Sequence, residues 1–252
     1  MTEIRLETQT LGRQFGALVA VQDMDFRLAS GARHALIGPN GAGKTTFINL
    51  LTGVLRPTRG RVLLGGRDIT GLAQAERVKL GIARTFQINR LFRGLSVLEN
   101  VCIAIAELRG IAGTMLYPAG RRTDVIDEAM ALLQTLKLAE AARHRVSELP
   151  YGRQRLVELA IAIALSPTVL LLDEPAAGVP SAESHIILDA IERLPADIAV
   201  LIIEHDMDVV FRFAKEITVL VAGAVFTQGT PAAIQKDERV REVYLGQEHK
   251  HG

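Results

Sequence analysis

The sequence predicts an α/β fold: a largely parallel, helix-covered sheet core with an inserted α-helical subdomain. Three observations predict it. The opening residues alternate in strand fashion. Short apolar runs then recur, several followed by helical periodicity. From about Leu91 to Ser147 the pattern becomes helical throughout.

Taken in order, Ile4, Leu6 and Thr8 lie on one strand face and Met24, Phe26 and Leu28 on another. The runs Ala35-Leu36-Ile37, Val62-Leu63-Leu64, Val169 to Leu172 and Ala199 to Ile203 each end at a polar or glycine-rich stretch, as buried strands of a helix-covered sheet do. In the middle, Glu128, Ala129, Leu132, Leu133 and Leu136 share one amphipathic helix face. Arg109 to Arg122 holds glycines and a proline without a period and reads as a loop. The charged tail from Lys236 to Gly252 reads as frayed. The expected organisation is a single domain over 1–252, with its core at 1–88 and 158–252 and the helical subdomain at about 89–157.

The chain has 252 residues, 48% hydrophobic and 23% charged, enough for a real core in an ordinary globular protein. A formal net charge of +1 gives no basic field, so nucleic acid is not an expected partner. One cysteine, Cys102, excludes an internal disulfide and a cysteine-rich zinc site. Glu3, Arg5 and Glu7 interrupt any early apolar run, so no secretory signal is expected. Leu159 to Leu172 is too short to span a bilayer and contains Pro167. Work at a membrane would therefore need a partner inside it.

Gly38 to Thr46 reads GPNGAGKTT and fits G-x-x-x-x-G-K-[ST], after the run Ala35 to Ile37 and before the helical run Phe47 to Leu51. Gly41 and Gly43 let the backbone curl so that successive N–H groups point at phosphate oxygens, and the following helix adds its positive end. The phosphate-binding candidates are Gly38, Pro39, Asn40, Gly41, Ala42, Gly43, Lys44, Thr45 and Thr46. Lys44 would neutralise the β- and γ-phosphates, and the Thr45 hydroxyl would ligate Mg²⁺. A glycine-rich turn with an exposed lysine is the bland alternative, which the flanking strand and helix argue against. Taken alone, the motif specifies only a P-loop NTPase. It does not separate kinases, GTPases and motor proteins.

Val169 to Pro175 reads VLLLDEP, so an apolar strand delivers two carboxylates at its carboxyl end. Asp173 suits the magnesium shell, and Glu174 suits the general base that takes a proton from the attacking water. Alone, this could be a strand ending in acidic turn residues. After a P-loop, the Asp-Glu pair argues for an ATPase over a GTPase, which commonly orients its water with a glutamine.

These motifs, in this order, resemble those of the ABC transporter ATPases over nearly the whole chain. Gln87, in RTFQINRLF, stands where the family has its Q-loop glutamine, which contacts Mg²⁺ and the membrane partner. Leu149 to Arg155, LPYGRQR, stands at the signature motif, and His205, in IIEHDM, at the switch histidine that contacts the γ-phosphate. Phe15 matches the aromatic that stacks on adenine. Singly, these would read as a polar loop residue, a structural histidine and a core aromatic. Together, their order and spacing carry the resemblance. It implies a RecA-like sheet core with an N-terminal antiparallel β subdomain beside the inserted α-helical one, ATP and Mg²⁺ as cofactors, and catalytic roles for Glu174, His205, Lys44 and Gln87. It also implies two ATPase domains paired head-to-tail, so that Pro150, Tyr151 and Gly152 meet the partner's nucleotide and one chain alone has no complete site.

Two departures stand out. Pro150 replaces the common signature serine, which removes one hydrogen bond worth about 1.5–3 kcal/mol to a charged group. Proline still suits a helix start, and the Gly152 N–H remains. The expectation is weaker closure, not its absence. Val179-Pro180-Ser181 replaces the usual aspartate-bearing D-loop.

RTFQ…RLF…LSVLENV, YGRQR, DEPAAG, IIEHDM and the ending REVYLGQ resemble the importers of branched-chain and other hydrophobic amino acids. That resemblance implies two transmembrane permease subunits, a second ATPase subunit and an extracytoplasmic solute-binding protein. It places the chain peripherally, on the cytoplasmic face of a bacterial inner membrane. An exporter-type or lipid-extracting ABC ATPase would share every catalytic residue, but Tyr151-Gly152 and RTFQ…RLF favour the importer branch. A non-transport ABC protein commonly carries two cassettes or long coiled coils, whereas this chain has one cassette and no sustained heptads. A binding-only reading rests on Pro150 and is opposed by Glu174 and His205.

Overall fold

The computed structural model describes residues 3–85, 91–112, 123–179 and 181–248. In chain order the elements begin with β1 (Ile4–Phe15), β2 (Leu18–Ala29), β3 (Arg33–Ile37), α1 (Lys44–Thr52), β4 (Arg59–Leu64), β5 (Arg67–Asp68), α2 (Gln74–Lys79) and β6 (Ile82–Arg84). Then come α3 (Val97–Leu108), α4 (Thr123–Thr135), α5 (Tyr151–Ala164), β7 (Val169–Asp173), α6 (Ser181–Glu192) and β8 (Ala199–Ile203). The chain closes with α7 (Met207–Phe213), β9 (Glu216–Val221), β10 (Ala224–Gly229), α8 (Pro231–Lys236) and α9 (Glu238–Glu248).

These residues divide into two compact units. The first takes the chain up to Ile82, then Thr168–Glu174, then everything from Pro195 on. Its antiparallel sheet has the order β2-β1-β4-β5. In β2, Met24, Phe26 and Leu28 face inward as the alternation predicts. Thr8 also lies inside, where its hydroxyl donates to the Met24 carbonyl at 2.7 Å and so avoids an unpaired polar atom. The second sheet has the order β10-β9-β3-β8-β7-β6. Its β9–β3–β8–β7 pairings are parallel, and β10 closes one edge antiparallel to β9. Every residue of β7 and β8 is buried, as strands covered on both faces require.

One apolar core joins the sheets to α1. Leu6, Met24, Phe26 and Leu36 pack with Phe47, Leu50, Val169 and Leu201. The Phe26 and Phe47 rings meet edge to face at 5.5 Å. Each such side chain contributes about 1.5–3 kcal/mol on burial, so α1 is held chiefly by this face rather than by helix propensity.

The second unit comprises residues 83–167 and Pro175–Leu194. Here α3 packs on α4 and α5, and α5 packs on α6. A capping box starts α3: the Glu99 N–H donates to Ser96 Oγ at 3.2 Å, and the Ser96 N–H donates to Glu99 Oε2 at 2.7 Å. Those Ser96 donors hold the Glu99 carboxyl below its ordinary pKa.

Four expectations need adjusting. The run Val62-Leu63-Leu64 belongs to the antiparallel sheet, where β4 pairs with β1, and only Val62 is fully buried. On α4 the inward residues are Val125, Ala129 and Leu133. Glu128 lies outside and binds Arg109, because a carboxylate there gains more from water and a cation than from the core. The segment Lys236–Glu248 is not frayed: α9 forms, anchored by buried Val240 and started by Asp237, whose carboxylate accepts from the Arg239 N–H at 3.0 Å. Finally, α5 runs unbroken through residue 157, since cutting there would sever a continuous hydrogen-bonded rod, and α6 joins the helical unit. Residues 113–122 of the expected loop and 249–252 of the expected tail lie outside the described residues.

Candidate functional site

The first unit gathers its chemistry at the carboxyl ends of β3, β8 and β7, which are neighbours in that order. This is where open α/β sheets bind ligands. Beyond β3, the loop Gly38–Gly43 turns back on itself, with φ of 79° at Gly41 and 99° at Gly43. A Cβ on Gly43 would stand 2.3 Å from the Ala20 carbonyl oxygen of β2, so neither the dihedral nor the space admits a side chain. The loop is braced by Gly223, whose N–H donates to the Ala42 carbonyl at 3.0 Å and whose carbonyl accepts from Gln22 at 2.7 Å.

Gly43 is also the N-cap of α1. It offers no capping side chain, and the first turn holds no acidic residue. The helix therefore presents its partial positive charge and its first N–H groups uncompensated, as an anion site requires. Asn40 and Thr45 are exposed, and Pro39 and Thr46 half-buried. Lys44 folds over the loop, its ammonium donating to the Gly38 and Pro39 carbonyls at 2.6 and 3.0 Å. Burial lowers the Lys44 pKa, and the negative charges of Glu174 and Asp173 oppose that shift. One cation thus sits within the field of both carboxylates.

Asp173 ends β7, opposite Ile203 of β8, and is buried. Glu174 follows with φ of 47°, a left-handed conformation unusual for glutamate, fixed by its N–H donating to the Ile203 carbonyl at 2.9 Å. His205, just beyond β8, is exposed and brings Nδ1 to 3.7 Å from Glu174 Oε1. Sequence reasoning assigned no role to Glu204. It is buried behind His205, and its Oε2 accepts from the His205 N–H at 3.2 Å and lies 3.9 Å from Nδ1. The only hint in the sequence was a carboxylate ending an all-apolar strand. Among the described residues no group of three or more His, Cys, Asp or Glu side chains could hold a metal ion alone. The donors that the site offers, the Thr45 hydroxyl and the Asp173 carboxylate, suit a hard cation that shares its shell with phosphate oxygens.

Phe15 is the last residue of β1, at the tip of the β1–β2 hairpin. It is 41% exposed rather than a core aromatic. The returning strand β2 passes the loop at Ala20, so hairpin and P-loop belong to one construction.

In the second unit, Pro150 is the N-cap of α5 and supplies no side-chain hydrogen bond. Tyr151 is exposed and Gly152 buried. Gln154 secures the turn from within, its amide donating to the Leu149 carbonyl at 2.8 Å. Arg155 holds Glu158 at 2.8 Å in a buried ion pair and lies over the Tyr151 ring at 5.2 Å. Burial pushes the Glu158 carboxyl up, and Arg155 opposes it. Gln87 and Pro180 lie outside the described residues.

A phosphate-type cradle after one parallel strand, with a carboxylate pair at the end of another in the same sheet, defines a P-loop nucleoside triphosphatase. The chain belongs to the ATP-binding cassettes of ABC transporters, ABC-type ATPases, in the branched-chain amino acid branch. The family described as ABC transporter matches residues 21–177, and the family described as branched-chain amino acid ATP-binding cassette transporter matches residues 225–250. The chain is 37% identical to the high-affinity branched-chain amino acid transport ATP-binding protein LivG of Salmonella typhimurium, over 98% of this chain and 100% of that one. It is 36% identical to BraF of Pseudomonas aeruginosa, over 96% and 98% respectively. Among solved structures, an ATP-binding cassette of an ABC transporter in its ADP conformation superposes with a TM-score of 0.86 at 31% identity, covering 97% of this chain and 100% of that one. Among the described residues no helix is long and apolar enough to cross a membrane.

Proposed function

We propose that this chain is the ATP-hydrolysing motor of an importer for branched-chain amino acids or related small solutes. The observation that carries the reading is the convergence of Lys44, Asp173, Glu174 and His205 at the carboxyl ends of β3, β8 and β7. The P-loop N–H groups and Lys44 bind the β- and γ-phosphates of ATP. Thr45 and Asp173 would hold Mg²⁺, which would supply positive charge to offset that of the phosphate oxygens, and the family resemblance implies the same role for Gln87. Glu174, fixed by its bond to Ile203, takes a proton from the attacking water. His205 reaches the γ-phosphate from β8 and is oriented by Glu204 and Glu174. Phe15 stacks on adenine.

Pairing is part of the mechanism. The N-terminus of α5, with Pro150, Tyr151 and Gly152, meets the γ-phosphate of a second ATPase subunit. ATP thereby joins the two subunits, and hydrolysis releases them. Two permease subunits would turn that cycle into transport, supplied by an extracytoplasmic solute-binding protein. The motor would lie on the cytoplasmic face of the bacterial inner membrane.

The test is Mg²⁺-dependent ATP turnover of the purified chain over a concentration series, beside Glu174→Gln. Turnover rising faster than linearly, and lost in the variant with ATP binding kept, is the expected result. Undiminished turnover in Glu174→Gln would remove the assigned base. Absence of ATP binding in the parent chain would sink the whole reading.

A further inference from the structure

Arg13 lies two residues before Phe15 near the end of β1, where the register with β2 shifts between Arg13 and Gln14. The Arg13 guanidinium carbon stands 4.4 Å from the centroid of the Phe15 ring, which still keeps 41% of its surface exposed. One side of the ring is thus covered by a cation while the rest stays open. Arg13 is itself tethered. Its Nη1 donates to the Arg56 carbonyl at 2.9 Å, in the loop that follows α1. Bonds on either side of Arg13 tie the hairpin to the same loop. The Thr58 N–H donates to the Gly12 carbonyl at 2.8 Å, and the Gln14 N–H donates to Thr58 Oγ1 at 3.1 Å. An arginine at a hairpin tip usually spends its freedom in water, whereas this one is held against a ring.

We propose that Arg13 is a positioning residue for the nucleobase: its guanidinium backs Phe15 and fixes the ring as a rigid plate whose other side takes the purine of the bound triphosphate. This rests on the reading of Phe15 as the base-stacking aromatic. A ring immobilised before binding loses less entropy when the base arrives. The cation adds its attraction for the π face, and base stacking on an aromatic depends on the area that the base offers. The plate therefore favours purines over pyrimidines. Because Arg56 lies on the chain that leaves α1, the plate is fixed relative to the helix whose first turn cradles the phosphates.

The experiment titrates full-length parent, Arg13→Ala, Arg13→Lys, Phe15→Ala and the double variant with ATP, CTP and inorganic tripolyphosphate. Calorimetry reads binding, and melting temperature reports folding. Arg13→Ala should weaken ATP by about two- to fivefold, the size of a cation–π contact at an exposed site. It should leave tripolyphosphate unchanged and narrow the ATP-to-CTP preference. Arg13→Lys, which keeps the charge without the plane, should lose part of the effect and report on Arg13 even if the alanine variant folds poorly. Phe15→Ala should lose more, and adding Arg13→Ala to it should cost nothing further. Equal loss for ATP and tripolyphosphate would show Arg13 acting on phosphate and overturn the proposal. So would additive losses in the double variant, or an ATP affinity that Arg13→Ala and Arg13→Lys leave unchanged while Phe15→Ala weakens it. If Phe15→Ala leaves ATP binding unchanged, the base-stacking reading itself fails, and the proposal with it.

Discussion

Replacing Arg77 by leucine should destabilise the nucleotide-binding unit while leaving its chemistry intact. Arg77 lies on α2 and is 1% exposed. Its Nη1 donates to the Leu50 and Leu51 carbonyls at 2.7 and 2.8 Å, its Nη2 to Thr70 at 2.9 Å and its Nε to Leu72 at 3.2 Å. Leu50 and Leu51 lie in the last turn of α1, where carbonyls lack partners within the helix and a cation also meets the negative end of the dipole. Burial lowers the Arg77 pKa, a cost that Asp68 partly offsets. Leucine would leave these buried carbonyls short of a donor, at about 1–3 kcal/mol for each that water cannot reach. If two remain unsatisfied, and the released desolvation of the guanidinium returns part of the loss, the net is about 3 kcal/mol. For a chain of this length that lowers the melting temperature by about 6–12 °C. The assay is thermal unfolding by circular dichroism beside ATP turnover at 25 °C. Turnover per folded molecule should stay within about twofold of the parent, because Arg77 sits at the far end of α1 from the P-loop. A melting temperature within about 2 °C of the parent would refute the capping argument. Normal melting with lost turnover would place Arg77 in the chemistry instead.

Further outcomes follow from the same geometry. Gly43→Ala forces a Cβ to 2.3 Å from the Ala20 carbonyl at φ of 99°, and should weaken ATP binding at least about tenfold in calorimetry; unchanged affinity would mean that the loop can re-form elsewhere. His34 is buried between Thr218, with Nε2 at 2.8 Å from its hydroxyl, and Glu216, and burial lowers its pKa from 6.5 to about 4. Below pH 6.5 the unfolded chain therefore takes up the proton first, so stability should fall by about 2 kcal/mol from pH 7.5 to pH 5. Urea midpoints should show a smaller fall in His34→Gln, and an identical fall would exclude His34 as the source. Pro150→Ser restores a hydroxyl at the start of α5 and should tighten ATP-driven pairing of Glu174→Gln protein by about tenfold or more in sedimentation; unchanged pairing would show that the N–H groups of α5 suffice.

Legibility followed how local each feature is in the chain. The P-loop could be read because strand, turn, lysine and helix are consecutive, and each makes its conformational demand within a few residues. The all-apolar runs of β7 and β8 could be read because burial on both faces leaves no alternation. Val62-Leu63-Leu64 looked the same, yet its sheet is decided by pairing with β1, far away in sequence. The helix α9 was hidden by its charge, since Val240 and the turn at Asp237 were too little signal among so many polar residues. Arg77 was invisible for a related reason: a buried guanidinium is explained only by carbonyls from separate segments, and no spacing announces them.

Glu174 is the instructive middle case. Its carboxylate was legible from the Asp-Glu pair, but its backbone was not: a glutamate at φ of 47° contradicts local preference and costs about 1–3 kcal/mol. What holds it there is the Ile203 carbonyl on β8, the strand that also leads into His205. The strain and its restraint therefore come from the same strand pair that brings His205 to Glu174. A sequence rule fails at the residue where the sheet, rather than the local chain, sets the geometry of the reacting group.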